Sequence, residues 1–272
     1  MTRRRSSTLI AGVLLVGIIV VLAVVSLAWL PHPLDDTSGG RLSAPSAEHL
    51  LGTDKLGRDL LSQLMVGARI ALVVGLGSVA IAGVLGVAIG LTAALAAPWL
   101  DDVVSAFIDV AIAFPVLLTA MLIVAVQPPS LASAIVAIGL AMSAVVGRIA
   151  RILAKRSAGA QYVLAARTSG TRVPGLIRRH ILPNIAPTLA VTLALQFGAA
   201  VLAEASLSYL GLGAPPPNAS WGRLLQEAQG TVLVAPAGAI APGVALVVLV
   251  LGVNFVADGL REFTDPTRRR NA

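Results

Sequence analysis

Long apolar stretches recur six times along the chain, separated by charged or proline- and glycine-rich breaks. A helix needs about 20 apolar residues to cross the hydrocarbon core of a bilayer, and each stretch approaches or exceeds that length. The predicted spans are Leu9–Leu30, Ile70–Ala97, Val103–Val126, Leu131–Gly147, Thr188–Leu212 and Val234–Ala257. The pattern predicts an all-α, polytopic membrane protein with six transmembrane helices.

The spans divide the chain into four regions. These are an N-terminal tail and first anchor at 1–30, a polar segment at 31–69, a five-helix core at 70–257 with a long polar loop at 148–187, and a basic tail at 258–272. The arginines before the first span are compatible with a secretory signal. The apolar run that follows, however, exceeds the 7–15 residues usual for a signal core, so we interpret it as a retained anchor.

Basic residues are unevenly distributed between the two sides of the predicted membrane. With the N-terminus in the cytoplasm, 15 of the 20 Lys and Arg residues fall on the cytoplasmic side and 5 on the other. Cytoplasmic loops of membrane proteins carry an excess of Lys and Arg. This asymmetry predicts cytoplasmic termini, a cytoplasmic 148–187 loop and an extracytoplasmic 31–69 segment.

Composition supports the membrane assignment and narrows the chemistry. The chain is 57% hydrophobic and 12% charged, whereas soluble domains are about 25% charged. A net charge of +7 in a membrane chain points to anionic lipid rather than nucleic acid. The chain has no cysteine, and its three histidines lie in separate segments without a helical i, i+4 pair, so no metal site is expected.

Catalytic motifs are absent from the sequence. Lys55 and Lys155 both follow residues other than glycine, so the chain lacks the glycine–lysine pair of a phosphate-binding loop. No histidine lies in a predicted span to activate a serine, and we expect neither an enzyme nor a bound cofactor. The intramembrane carboxylates Asp109 and Glu204 stand alone, which disfavours the proton relay of a secondary transporter.

The cytoplasmic loop contains a distinctive pattern. Tyr162 to Gly170 reads YVLAARTSG, and after nine further residues the chain reads HILPN from His180. This resembles the EAA loop of ATP-binding-cassette importer permeases, E-A-A-x3-G-x9-I-x-L-P. The matching residues are Ala165, Ala166, Gly170, Leu182 and Pro183; Leu164 replaces the glutamate and His180 the isoleucine.

Three further segments are similar to the C-type permease subunits of dipeptide and oligopeptide importers of this class. They are LGTDKLGRD from Leu51 with GARI at 67–70, EASLSYLGLG from Glu204 with the prolines at 215–217 and SWG at 220–222, and DGLR from Asp258 with Asp265-Pro266. The resemblance covers nearly the whole chain apart from the first span and its flanks.

The resemblance implies the type I importer permease fold and a set of partners. These are a homologous B-type permease, one or two cytoplasmic ATPases that bind ATP and Mg, an extracytoplasmic solute-binding protein and the lipid of a bacterial inner membrane. It implies peptide cargo, with haem, nickel chelates or glutathione as alternatives. A self-contained secondary transporter or channel remains the alternative of a different class.

The resemblance and the sequence pattern also predict three groups of site residues. The ATPase-coupling group is Leu164, Ala165, Ala166, Arg167, Gly170, His180, Leu182 and Pro183. The binding-protein dock is Asp54, Lys55, Arg58, Asp59 and Trp221. The translocation-path candidates are Asp109, Glu204 and Asn254.

Some roles can be argued from the residues themselves. Small side chains at Ala165 and Ala166 would let one helix face lie flush in a groove, and Gly170 would end that helix in the left-handed conformation; an amphipathic helix lying on the inner leaflet is the alternative. Asp109, about 9 Å from the cytoplasmic end of its span, is expected to pair with a loop arginine. Glu204 lies near the outer surface, where either a substrate ammonium or a neighbouring polar group would satisfy it.

Overall fold

The computed structural model describes residues 7–213, 215 and 218–264, with the side chains of 263 and 264 left aside. The arginines at 3–5, the prolines at 216 and 217, the Asp265-Pro266 pair and the arginines at 268–270 lie outside the described residues. In the described part the protein is helical. In chain order the helices are α1 Ser7–Ala28, α2 Leu60–Leu95, α3 Pro98–Ala113, α4 Val116–Ala125, α5 Leu131–Ala158, α6 Gln161–Thr168, α7 Val173–Leu176, a π-helical turn Ile177–Ile181, α8 Leu182–Tyr209, α9 Trp221–Ala228 and α10 Ala237–Thr264.

The third predicted span is divided into two helices. α3 and α4 meet at an angle of 88°. Five other helical segments are long and apolar enough to cross a membrane, and the bent pair makes a sixth span if its two helices cross together. Phe114 is extended, with φ −85° and ψ 130°, the conformation that a following proline favours over the α conformation. A proline inside an apolar helix predicts a kink, and the bend at Pro115 is far larger than a kink in a continuous helix.

Glycines bring α2 and α5 into close contact along the centre of the bundle. A Cβ atom at Gly86 would lie 2.7 Å from the carbonyl oxygen of Ser143, and one at Gly90 would lie 2.5 Å from that of Gly147. Separations this short require the missing side chain, as in small-xxx-small packing of membrane helices. The G-x-x-x-G spacing of α2 therefore serves packing within this chain.

The two polar segments pack at opposite ends of α2. Residues 31–59, here called the cap, lead directly into the start of α2, where Asp59 caps the helix. Residues 159–183, here called the EAA segment, share a buried cluster with Leu91 near its other end. Because α2 has 36 residues, its ends are about 54 Å apart.

Candidate functional site

The EAA segment begins with a short helix that ends as the sequence predicts. α6 stops at Thr168, and Gly170 has a φ of +82°. The amide of Gly170 donates to the carbonyl of Arg167, and that of Thr171 donates to the carbonyl of Ala166 at 3.1 Å. These bonds satisfy the last carbonyls of the helix.

The two faces of α6 have different surroundings. Val163 is fully buried and Ala166 packs beside it on the same cluster, which includes Ala150 and Ala154 of α5. Ala165 is exposed and Leu164 is 48% exposed. Ala166 is half-buried whereas Ala165 is exposed, because residues three apart on a helix lie on the same side and Ala166 follows Val163 inward.

The second half of the EAA motif forms a π-helical turn that runs into α8. Ile181 is buried against α5, Leu182 and Pro183 are exposed, and His180 is half-buried. Pro183 lies within the first turn of α8, directly after the π-helical turn.

Tyr162 links α6 to both long helices. Its hydroxyl lies 2.8 Å from the Ser157 hydroxyl of α5 and accepts a hydrogen bond from the Asn184 amide of α8 at 2.5 Å. The exposed apolar surface of this segment is thus held on a framework that joins α5 and α8. Arg167, also predicted for this site, is exposed on the same segment.

The surroundings of the EAA segment are strongly basic. Residues 148–187 contain eight Lys and Arg residues and no Asp or Glu. Asp101 of α3 pairs with Arg151 through two hydrogen bonds of 2.6 and 2.8 Å and also contacts Lys155. Asp109 lies 3.5 Å from Arg148 with both side chains more than half exposed, which is the pairing expected for it.

At the other end of the bundle, Asp54 organises a turn of the cap. Its carboxylate accepts hydrogen bonds from the backbone amides of Leu56 and Arg58, from the Arg58 guanidinium at 2.7 Å and from the Gln63 amide at 3.1 Å. Arg58 also donates to Glu227 of α9 at 2.8 Å. Burial acts to raise the pKa of Asp54, but the hydrogen bonds from Arg58 and Leu56 outweigh it, so this pKa lies below its usual value.

Three of the five predicted dock residues are inside the protein. Asp54 and Asp59 are buried, and Trp221 is 1% exposed with its indole N–H donating to the carbonyl of Leu64 at 3.0 Å. Internal hydrogen bonds hold all three side chains, so they present almost no surface to a binding protein. The dock stays a prediction. Lys55 is exposed and Arg58 is half-buried.

The translocation-path candidates are not brought together. Glu204 is 2% exposed, and the Ser208 hydroxyl donates to its carboxylate at 2.6 Å. Of the two partners that the sequence left open, the neighbouring polar group is therefore present. Asn254 lies half-buried on α10, whereas Asp109 is on α3 with Arg148 as its partner.

Comparison with known proteins decides the family. Residues 86–270 match the family described as the inner membrane component of binding-protein-dependent transport systems. The chain belongs to this family. The match includes the whole EAA segment of the permease and leaves out the cap.

Individual relatives cover the permease almost from end to end. It is 36% identical to the dipeptide transport system permease protein DppC of Alkalihalophilus pseudofirmus over 93% of this chain and 85% of that protein. It is 39% identical to a protein of Brucella suis named as a peptide transport system permease, over 97% and 88%. It is 36% identical to the glutathione transport system permease protein GsiD of Pectobacterium atrosepticum, over 82% and 74%. The resemblance to C-type permease subunits is confirmed.

An apolar cavity of the permease lies beside the bend between α3 and α4. It measures about 610 Å³ and is bounded by α2, α5 and the two arms of the broken span. Phe107, Phe114 and Leu122 line it and are each more than 60% exposed. The sequence predicts a kink here but gives no signal for the cavity, which depends on the size of the bend.

Sequence reasoning also misses a contact in the cap of the permease. His32 and His49 are 17 positions apart in the chain, yet their ring centroids lie 4.4 Å apart. His49 Nδ1 lies 3.0 Å from Asp59 Oδ1. The cap folds back on itself through irregular turns, so a search for helical i, i+4 spacing could not find this cluster.

Proposed function

We propose that this permease is the C-type subunit of an ATP-driven peptide importer and forms one half of its translocation path. The proposal rests on the exposed apolar face of the EAA segment, which includes Leu164 and Ala165. The hydrogen bonds of Tyr162 hold this face on both α5 and α8. Relatives named as dipeptide and peptide permeases support peptide cargo. The relative named for glutathione keeps that small peptide as the second candidate.

The EAA segment is suited to receive force from a cytoplasmic ATPase. Leu164 and Ala165 form a small apolar surface for a partner. Behind this surface, Val163 packs on α5, and Ile181 belongs to the same buried cluster. A push on α6 is therefore transmitted to α5 and α8 together. This is the requirement for a rigid-body gate of the alternating-access type.

The other partners have candidate surfaces of their own. The apolar cavity at the α3–α4 bend provides a face for the homologous B-type permease, with which this subunit would enclose the path. The exposed residues of the cap, Lys55 among them, are available to an extracytoplasmic binding protein. ATP and Mg would be bound by the ATPase, and both termini of this subunit would be cytoplasmic.

A charge placed on the exposed face of α6 tests the coupling role. Ala165→Asp puts a carboxylate into an apolar contact, where an unpaired charge costs several kcal/mol, so the ATPase should no longer co-purify and dipeptide uptake should stop. Ala44→Asp, the same change at an exposed cap residue, is the matched control and should retain the ATPase. Retention of the ATPase by Ala165→Asp, at normal membrane levels of the subunit, would contradict the proposal.

The same preparation separates the alternatives. A secondary transporter or channel would move solute without any co-purifying ATPase. Uptake of a labelled dipeptide compared with labelled glutathione, in cells that depend on this permease, distinguishes the two cargoes.

A further inference from the structure

The cap brings two histidines and a carboxylate together next to the start of α2. One ring nitrogen each from His32 and His49 and one carboxylate oxygen of Asp59 all lie within 4.8 Å of one another. The three residues come from separate turns of the cap. His49 and Asp59 are buried, whereas the His32 side chain is 23% exposed, so the cluster is open to solvent on one side.

Asp59 has no Lys or Arg ion-pair partner in the part of the chain that the structure describes. Its carboxylate is 2% exposed, and its ion-pair contact there is with His49 at 3.0 Å. Arg58, next in the chain, is directed to Asp54 and Glu227 instead. A buried carboxylate needs compensation for the water it has lost, and a cation at this place would supply it.

One pair of these ligand atoms has a separation that suits a small divalent ion. Metal–nitrogen and metal–oxygen bonds to Zn²⁺ are about 2.1 Å, so neighbouring ligand atoms of a tetrahedral site are roughly 3.4 Å apart. The His49 Nδ1 to Asp59 Oδ1 distance of 3.0 Å is close to that value. A set of two imidazoles and one carboxylate is typical of divalent transition metals.

Outer contacts already orient these ligands. Asp59 Oδ2 accepts a hydrogen bond from the Ser62 amide at 2.7 Å, which leaves Oδ1 directed at His49. His32 Nε2 lies 3.1 Å from the Glu48 carbonyl oxygen; donation from Nε2–H leaves the Nδ1 lone pair for a metal. Metal-binding histidines commonly use the second ring nitrogen in this way. An oxygen of Asp36 lies 3.9 Å from His32 Nδ1, at the solvent side of the cluster.

We propose that His32, His49 and Asp59 bind one divalent transition-metal ion, for which Zn²⁺ is the probe. The ion replaces the proton between His49 Nδ1 and Asp59 Oδ1, and that proton is released to solvent. Binding joins the first residues of the cap to the N-cap of α2. The metal therefore fastens the cap to the helix bundle, whichever solute the permease carries.

Zn²⁺ titration of the full chain in detergent, without a polyhistidine tag, tests this proposal by calorimetry. The chain has three histidines and no cysteine, so competing soft ligands are few. Wild type should bind one Zn²⁺, and His32→Ala should weaken binding by roughly ten-fold or more. His180→Ala, which removes the histidine at the other end of the bundle, is the matched control and should bind as wild type does.

A second variant separates ligand loss from damage to the fold. Asp59→Asn keeps a side-chain oxygen to cap α2 but removes the anionic ligand, so it should lose Zn²⁺ affinity while its metal-free melting temperature stays close to that of wild type. Zn²⁺ should raise the melting temperature of wild type and of His180→Ala only. Absence of Zn²⁺ binding to wild type, unchanged affinity in His32→Ala, or equal loss in His180→Ala would each overturn the proposal.

Discussion

Individual polar residues in this permease are paired inside an apolar bundle. Among the described residues, no buried side-chain nitrogen or oxygen lacks a hydrogen-bond partner. Glu204 shows why this matters, because its carboxyl group is buried on α8 and accepts a hydrogen bond from the Ser208 hydroxyl one turn later. Removal of one partner leaves the other with an uncompensated loss of solvation.

The Ser208 hydroxyl should therefore contribute measurably to stability. Ser208→Ala removes a donor to Glu204, and leaving a buried polar partner unsatisfied costs about 1–3 kcal/mol, so the free energy of unfolding should fall by about that amount. Ser206→Ala is the matched control, because that half-buried hydroxyl donates to the Leu202 carbonyl of its own helix and not to a buried carboxyl group. Equal melting temperatures for the two variants in detergent would show that the Glu204 contact is not stabilising.

At the scale of elements, the apolar pattern locates the long helices but not their ends. α2 begins at Leu60 rather than Ile70. The Asp59 side chain accepts a hydrogen bond from the first turn of the helix, and residues 31–59, instead of lipid, cover its polar first turns. α5 continues from the predicted end at Gly147 to Ala158, since its basic last turns lie beyond the apolar stretch. Hydropathy reports contact with lipid, whereas helix ends depend on capping and on neighbouring chain segments.

For the EAA segment too, the sequence predicts where the helix lies but not how it packs. The spacing of the EAA pattern locates α6 and its termination at Gly170. The orientation of α6 was not predictable, because which of Ala165 and Ala166 faces inward depends on how Val163 packs against α5. The burial of Asp54, Asp59 and Trp221 likewise follows from tertiary contacts that no local pattern contains.

The exposed position of Leu164 leads to a prediction about the ATPase contact. Leucine supplies apolar burial, worth about 1.5–3 kcal/mol when complete, and salt screens charges but not apolar contacts. Leu164→Ala should therefore weaken ATPase binding to this subunit by a similar factor at low and high ionic strength. Leu50→Ala, at an exposed leucine of the cap, should leave the affinity unchanged. A loss confined to low salt, or no loss at either salt concentration, would mean that Leu164 does not enter the contact.

For the whole molecule, the separation of charge along the bundle is the feature that bears on function. The cap and α9 contain both acidic and basic residues joined in pairs, including Arg58 with Glu227. The EAA segment contains arginines and no acidic residue. The C-terminal part of α10, which carries Arg261, packs beside the beginning of α1, where Gly259 lies close to Leu9. The fold thus gathers the described basic residues of the 148–187 loop and of α10 away from the cap, as a single orientation in the membrane requires.

Cysteine labelling tests that orientation, and the cysteine-free chain supplies a clean background. Suitable positions must be exposed: Ala47 lies in the cap, Gln229 follows α9, and Ser169 lies in the EAA segment. If the basic end faces the cytoplasm, as the positive-inside rule predicts, Ala47→Cys and Gln229→Cys should react with a membrane-impermeant maleimide on intact cells. Ser169→Cys should react only after permeabilisation, which also serves as the control that its thiol is accessible. Labelling of Ser169→Cys on intact cells, or protection of both other sites, would place the EAA segment on the side of the membrane that has no ATP and would rule out its contact with an ATPase.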